Sequence, residues 1–138
     1  MKPLMMIVTS LGLALTVSAT SAQAIAGRLR NHQPVNNGLI NIAIADMIRK
    51  ECDQIGARMI HAYRYMNAIR DRANEDGFSD AEIEAFVENK EDRARVKTAA
   101  QTYLTSNGVT LDDPQSYCVA GLAEIDQDSQ IGALLRSK

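Results

Sequence analysis

Between residues 37 and 74, apolar or small side chains recur at Ile40, Ile44, Met47, Ile48, Cys52, Ile55, Met59, Tyr63, Met66 and Ala73. Steps of three and four residues place them on one helix face. Asp46, Lys50, Asp53, Arg58, His61, Arg64, Asp71 and Arg72 take the opposite face. The pattern predicts one long helix over 37–74, supported by the acid-first pair Asp46 and Lys50. Gly56 is its weak point, costing up to about 1 kcal/mol relative to alanine, and offers close approach to a neighbouring helix. Asp76-Gly77 supplies the stop, with glycine in the post-helix position. On this reading the Met59, Tyr63 and Met66 stripe belongs to the core rather than to a sticky surface.

Ser79-Asp80-Ala81-Glu82 is a capping box, flanked by Phe78 and Ile83 as a hydrophobic staple. A second helix therefore starts at Asp80 and buries Ile83, Phe86 and Val87. Val87 and Val96 are nine residues apart, which puts them on opposite faces of a continuous helix. The polar run from Glu88 to Arg93 lies between them. A break near Asn89 and a new helix over 90–106 resolve the conflict. That helix presents Val96, Ala99, Ala100, Tyr103 and Leu104, and Asn107-Gly108 closes it. After a loop over 109–113, Asp113-Pro114 opens a fourth helix, which buries Cys118, Leu122 and Ile125. Asp128 or Ser129 caps a short last helix carrying Ile131, Leu134 and Leu135. No stretch of useful length alternates as a strand would. The predicted fold is all-α: four or five helices around one core over residues 37–138, with one long N-terminal helix.

The start of the chain reads differently. Lys2, the apolar run over 4–17 and the small-residue site Ala22-Gln23-Ala24 form a secretory signal over residues 1–24. The apolar run is too short to span a bilayer comfortably. Residues 25–36, with Gly27, Arg28, Arg30, Asn31, His32, Gln33 and Pro34, read as a flexible lead-in. The next most apolar stretch, 38–48, contains Asn41 and Asp46 and is also too short to cross. The expectation is a periplasmic or secreted chain with no membrane span after signal cleavage.

Export changes the meaning of the cysteines. Cys52 and Cys118 are the only two, and an even count in an exported chain argues for a disulfide. They form no Cys-x-x-Cys and have no histidine nearby in sequence, so a structural bridge is expected over a redox or metal pair. Both lie on apolar helix faces, so the bridge would staple the first helix to the fourth.

Composition adds exclusions. Aromatic residues are 4% of the chain and Trp is absent, which leaves a core of Leu, Ile, Val, Met and Ala. The net charge is −2 with no basic stripe, which argues against nucleic acid and gives no sign of an anionic membrane surface. His61 lies on a polar face and His32 in the lead-in, with no metalloprotease spacing. Asp126, Asp128, Gln130 and Gly132 resemble a calcium loop faintly, but the glycine is one place late and Ser137 stands where a glutamate is needed. Glu82, Glu84, Glu88, Glu91 and Asp92 could supply acid–base chemistry in a cleft. With Arg93, Arg95 and Lys97 beside them, they read as a solvated face. There is no nucleophile elbow, phosphate loop or dinucleotide fingerprint. No catalytic, cofactor-binding or metal-binding residue is assigned, and a non-enzymatic role is expected.

Glu51-Cys52-Asp53, the segment from Gly77 to Ala85, Arg93-Ala94-Arg95-Val96, Asp113-Pro114 through Tyr117-Cys118, and Ile131-Gly132 through Leu134-Leu135 carry a resemblance. Over most of residues 36–136 the chain resembles a family of small exported alphaproteobacterial proteins of unknown function. That resemblance brings no catalytic residues. Some members lie near genes for the respiratory NADH dehydrogenase, which implies an accessory role at a respiratory membrane complex. A looser likeness, of architecture alone, is to the acid-stress chaperones of the bacterial periplasm. The expected function is a non-enzymatic periplasmic protein-interaction partner acting through the long first helix and the charged second and third. The alternatives are a holdase-type chaperone that exposes Met59, Tyr63 and Met66, and an accessory factor of a respiratory complex.

Overall fold

The computed structural model describes residues 19–138; Lys2 and the apolar run of the expected signal lie outside the described residues. Among the described residues six helices run in the order α1 (Ala19–Asn31), α2 (Gln33–Glu51), α3 (Met59–Glu75), α4 (Asp80–Glu88), α5 (Lys90–Ser106) and α6 (Pro114–Asp126). A 3-10 turn, Gly132–Leu134, follows. Two short strands, β1 (Ile55–Ala57) and β2 (Leu135–Ser137), pair antiparallel with Ile55 opposite Ser137 and Ala57 opposite Leu135. The helical class stands, with more and shorter elements than the hydrophobic period suggested.

The single long helix over 37–74 is two helices. α2 ends at Cys52, whose backbone is extended at φ −112° and ψ 108°. The chain then carries Ile55 fully into the core and restarts a helix at Met59. Gly56 does admit a close neighbour, but that neighbour is the C-terminal strand: a Cβ there would lie 3.3 Å from Lys138 Cε and 3.6 Å from Arg136 Nε. The expected short last helix is correspondingly a 3-10 turn running into β2. Backbone pairing with a segment some 80 residues away outweighs helical periodicity that was consistent but interrupted by glycine.

The stretch expected as a flexible lead-in is also ordered. α1 reaches Asn31, and its Leu29 is fully buried. Residues 22–24 are exposed, and packing against the core begins at Ile25. His32 caps α2 by accepting the Val35 N–H on Nδ1 at 3.3 Å, with Pro34 in the first turn where its missing N–H costs nothing. A histidine cap is not among the residues that sequence rules favour there.

The other stops and starts follow the predicted chemistry. Gly77 adopts φ +94° after the Asp76 cap. Ser79 accepts from the Glu82 N–H at 3.2 Å, while Glu82 accepts from the Ser79 N–H at 2.9 Å. Asn89 ends α4 and caps α5, its Oδ1 accepting from the N–H groups of Glu91 and Asp92, both at 3.0 Å.

Two apolar clusters replace the expected single core. One packs Ile44, Ile48, Ala100, Leu104 and Leu134 around Cys52–Cys118. The other packs Leu29, Val35, Ala73, Phe78, Ile83 and Phe86. α2 contributes to both, which makes it the central helix. Cys52 and Cys118 are bonded, with Cα atoms 5.1 Å apart. Gly121, one turn after Cys118, lets α6 lie this close to α2: a Cβ there would fall 2.6 Å from Ile48 Cγ2. Val109, expected in a loop, is 5% exposed and extends the first cluster.

Candidate functional site

A groove of about 700 Å³ runs along α2 beside α4 and α5. Its apolar lining comes from Leu39, Ile42 and Met47 on α2, Phe86 and Val87 on α4, and Val96 on α5. The break at Asn89 builds it. Without that turn Val87 and Val96 would face opposite ways; with it both border one surface. Val87 is consequently not core but 41% exposed, and Leu122, another expected core residue, is 38% exposed.

The two rims differ in charge. On α2, Asp46 is held by Arg49 at 2.5 Å and Lys50 at 2.6 Å. On α5, Arg93 and Lys97 make no ion pair among the described residues. The groove therefore offers an apolar floor with available cations along one side.

Asp92 anchors the end of the groove near α1. Its side chain is 2% exposed. Arg30 grips it with Nε donating to Oδ1 at 2.6 Å and Nη2 donating to Oδ2 at 3.2 Å. Arg95 adds a longer contact from Nε at 3.5 Å, and its Nη1 donates to Asn36 Oδ1 at 2.7 Å. Arg95 Nη2 is buried without a partner among the described residues. The hydrogen bond and charge of Asp92 push the Arg30 guanidinium further up. This knot joins α1, α2 and α5. The expected solvated acidic face is thus divided: Glu84, Glu88 and Glu91 are exposed, while Asp92 is enclosed.

A second enclosed carboxylate lies at the far end of α6. Glu124 is 8% exposed. Tyr103 donates to its Oε1 at 2.5 Å, and Ser129 Oγ donates to its Oε2. Ser129 Oγ also accepts the Gly132 N–H at 2.9 Å. The hydrogen bond to Glu124, then burial, push the Tyr103 hydroxyl up to about 12. These contacts tie the C-terminal segment onto α6. The faint calcium-loop residues are exposed: Asp126 ends α6, and Asp128 lies on the turn that follows, at φ 49°.

The histidines are apart. His32 Nε2 lies 2.7 Å from Asp76 Oδ2, with the Phe78 ring edge-on at 5.6 Å. That hydrogen bond, with Arg72 nearby, holds the Asp76 carboxyl below its usual range. His61 is exposed on α3. Among the described residues no group of three or more His, Cys, Asp or Glu is placed to hold a metal ion. The groove lining contains no His, Cys, Ser, Thr or Tyr; its polar side chains are the carboxylates Asp46, Glu51 and Asp92 and the cations Lys50, Arg93 and Lys97.

Sequence reading missed the enclosed acids because burial of Asp92 depends on Arg30, 62 residues away. It also placed the Met59, Tyr63 and Met66 stripe in the core, whereas these side chains are 71%, 64% and 47% exposed. The turn of the chain at Cys52–Arg58 is what rotates them outward.

The family described as "Family of unknown function (DUF5333)" matches residues 27–136. That span includes Leu29 and Arg30 and so takes in the knot around Asp92. No curated protein and no solved structure matches the chain.

Proposed function

Because the chain belongs to this family, whose description carries no activity, we propose from its own surfaces that it is a non-enzymatic periplasmic protein that binds a protein partner in the α2–α5 groove. The observation that supports this reading most is the groove itself: an apolar trough beside two cations, Arg93 and Lys97, that no carboxylate among the described residues takes up. The occupant that fits is an amphipathic segment of the partner, apolar toward Ile42 and Met47, with carboxylates toward Arg93 and Lys97. Buried Cys52–Cys118 fits an oxidising compartment. No helix among the described residues is long and apolar enough to cross a membrane. The family resemblance makes a respiratory membrane complex one home for such a partner.

A holdase chaperone is the second reading, favoured by the exposed Met59, Tyr63 and Met66 side chains. Capture by the tagged chain in its native cells separates the two. One dominant partner in fixed ratio, lost when exposed groove positions are charged in Val87→Glu or Ala94→Glu, supports the groove. Many unrelated captured proteins, unaffected by those changes, support the chaperone instead.

A further inference from the structure

The outer face of α3 is a separate surface from the groove. Met59, Tyr63 and Met66 step by four and three residues along it, with Ile60 beside them at 68% exposed. The stripe is about 10 Å long at the helical rise. Its charge is one-sided. From Gln54 to Arg70 the chain carries Arg58, His61, Arg64 and Arg70 and no carboxylate, in a protein whose net charge is −2. β2 adds to this end: Arg136 shares a shallow depression with Arg58, Met59, Ile60 and His61, and Lys138 lies with Arg136 across Gly56. Arg58, Arg64, Arg136 and Lys138 make no ion pair among the described residues.

We propose that this face docks the protein on an anionic phospholipid surface. Exposed apolar side chains flanked by arginine and lysine are what an interfacial helix uses: the apolar atoms enter the headgroup–acyl boundary and the cations meet phosphates. Tyr63 has the amphipathic ring suited to headgroup depth. Arginine pairs phosphate with two parallel donors, which lysine does not. The cations are gathered from the start of α3 and from the C-terminal strand and the residue after it, so they border the stripe at its Met59 end, with Arg64 further along the helix. A four-residue stripe gives shallow, reversible attachment. The chain's overall negative charge conceals the patch, because its carboxylates lie elsewhere.

The test is flotation of the full disulfide-bonded chain, without its signal, on vesicles containing phosphatidylglycerol and on vesicles of phosphatidylcholine alone. The protein floats with the anionic vesicles only, and high salt releases it. Arg58→Gln and Arg64→Gln each weaken partitioning about fivefold, and Met59→Ser with Tyr63→Ser abolishes it, while Lys90→Gln leaves it unchanged. Inorganic phosphate at buffer concentration does not compete. All five altered positions are exposed, and an unchanged circular dichroism spectrum checks each fold. The groove variant Val87→Glu still floats, so failure of the groove reading leaves this one standing. Absence of flotation, equal binding to neutral vesicles, or binding that survives the Met59 and Tyr63 changes overturns the proposal. Binding of an acidic helical peptide to this face without any flotation overturns it too, and makes the face a protein site.

Discussion

Arg30 holds the enclosed Asp92 carboxylate through two nitrogens, at 2.6 and 3.2 Å, across 62 residues of sequence. Asp92 is nearly solvent-free and Arg30 is partly exposed, so the pair's weight lies in what remains when one partner is removed. An orphaned buried carboxylate costs several kcal/mol, whereas replacing both partners by apolar groups is often close to neutral. Arg95 remains as a second, more distant cation and softens the loss. Arg30→Met is therefore expected to lower the urea midpoint, and Arg30→Met with Asp92→Leu to lower it clearly less. Urea unfolding of the two variants checks this. Equal losses would mean that Asp92 needs no partner.

The Cys52–Cys118 bond closes a separation of 66 residues. The chain-entropy estimate for a loop of that size is about 4 kcal/mol. Replacing both cysteines by alanine is expected to lower stability by about that much, measured by denaturant unfolding. Cys52 is fully buried and Cys118 nearly so. Reductant should therefore act only as the native chain opens, and the rate of thiol appearance should follow denaturant concentration.

The Tyr103–Glu124 contact has an alkaline signature. The Tyr103 hydroxyl ionises near 12 in the folded chain against 10 for the free group. The folded state keeps a proton that the unfolded state has lost, so stability falls as pH rises between those values. The contribution is fully present below pH 10 and gone above 12. In an ultraviolet titration, Tyr103→Phe removes the phase near 12. At neutral pH the same change costs about 2 kcal/mol, because a hydrogen bond to an enclosed carboxylate is lost. An unchanged titration would show that Glu124 does not engage Tyr103.

Local chemistry was legible in the sequence wherever one short segment decides it. The Ser79–Glu82 box, the Asn89 break, the Asp113-Pro114 start and the cysteine pair all rest on neighbours or on counting. The misread features depend on distant residues. Helical spacing through Ile55 was sound, but β1 exists because Leu135–Ser137 pairs with it. Asp92 looks solvated until Arg30 arrives from α1, and α1 itself looked loose because one buried anchor, Leu29, gives no period. The groove was not legible: Val87 reads as core of the second helix and Val96 as a face of the third, and both had to be placed in space before they bordered one trough.

A photo-activatable amino acid at position 87, on the exposed border of the groove, tests the partner-binding account most directly. In native cells the account predicts one dominant cross-linked protein. The adduct should persist when Met59 and Tyr63 are changed to serine and the chain is supplied with its partner in detergent. It should disappear when Arg93 and Lys97 are both changed to glutamate. A smear of unrelated adducts, or one that ignores the charge reversal, would contradict it.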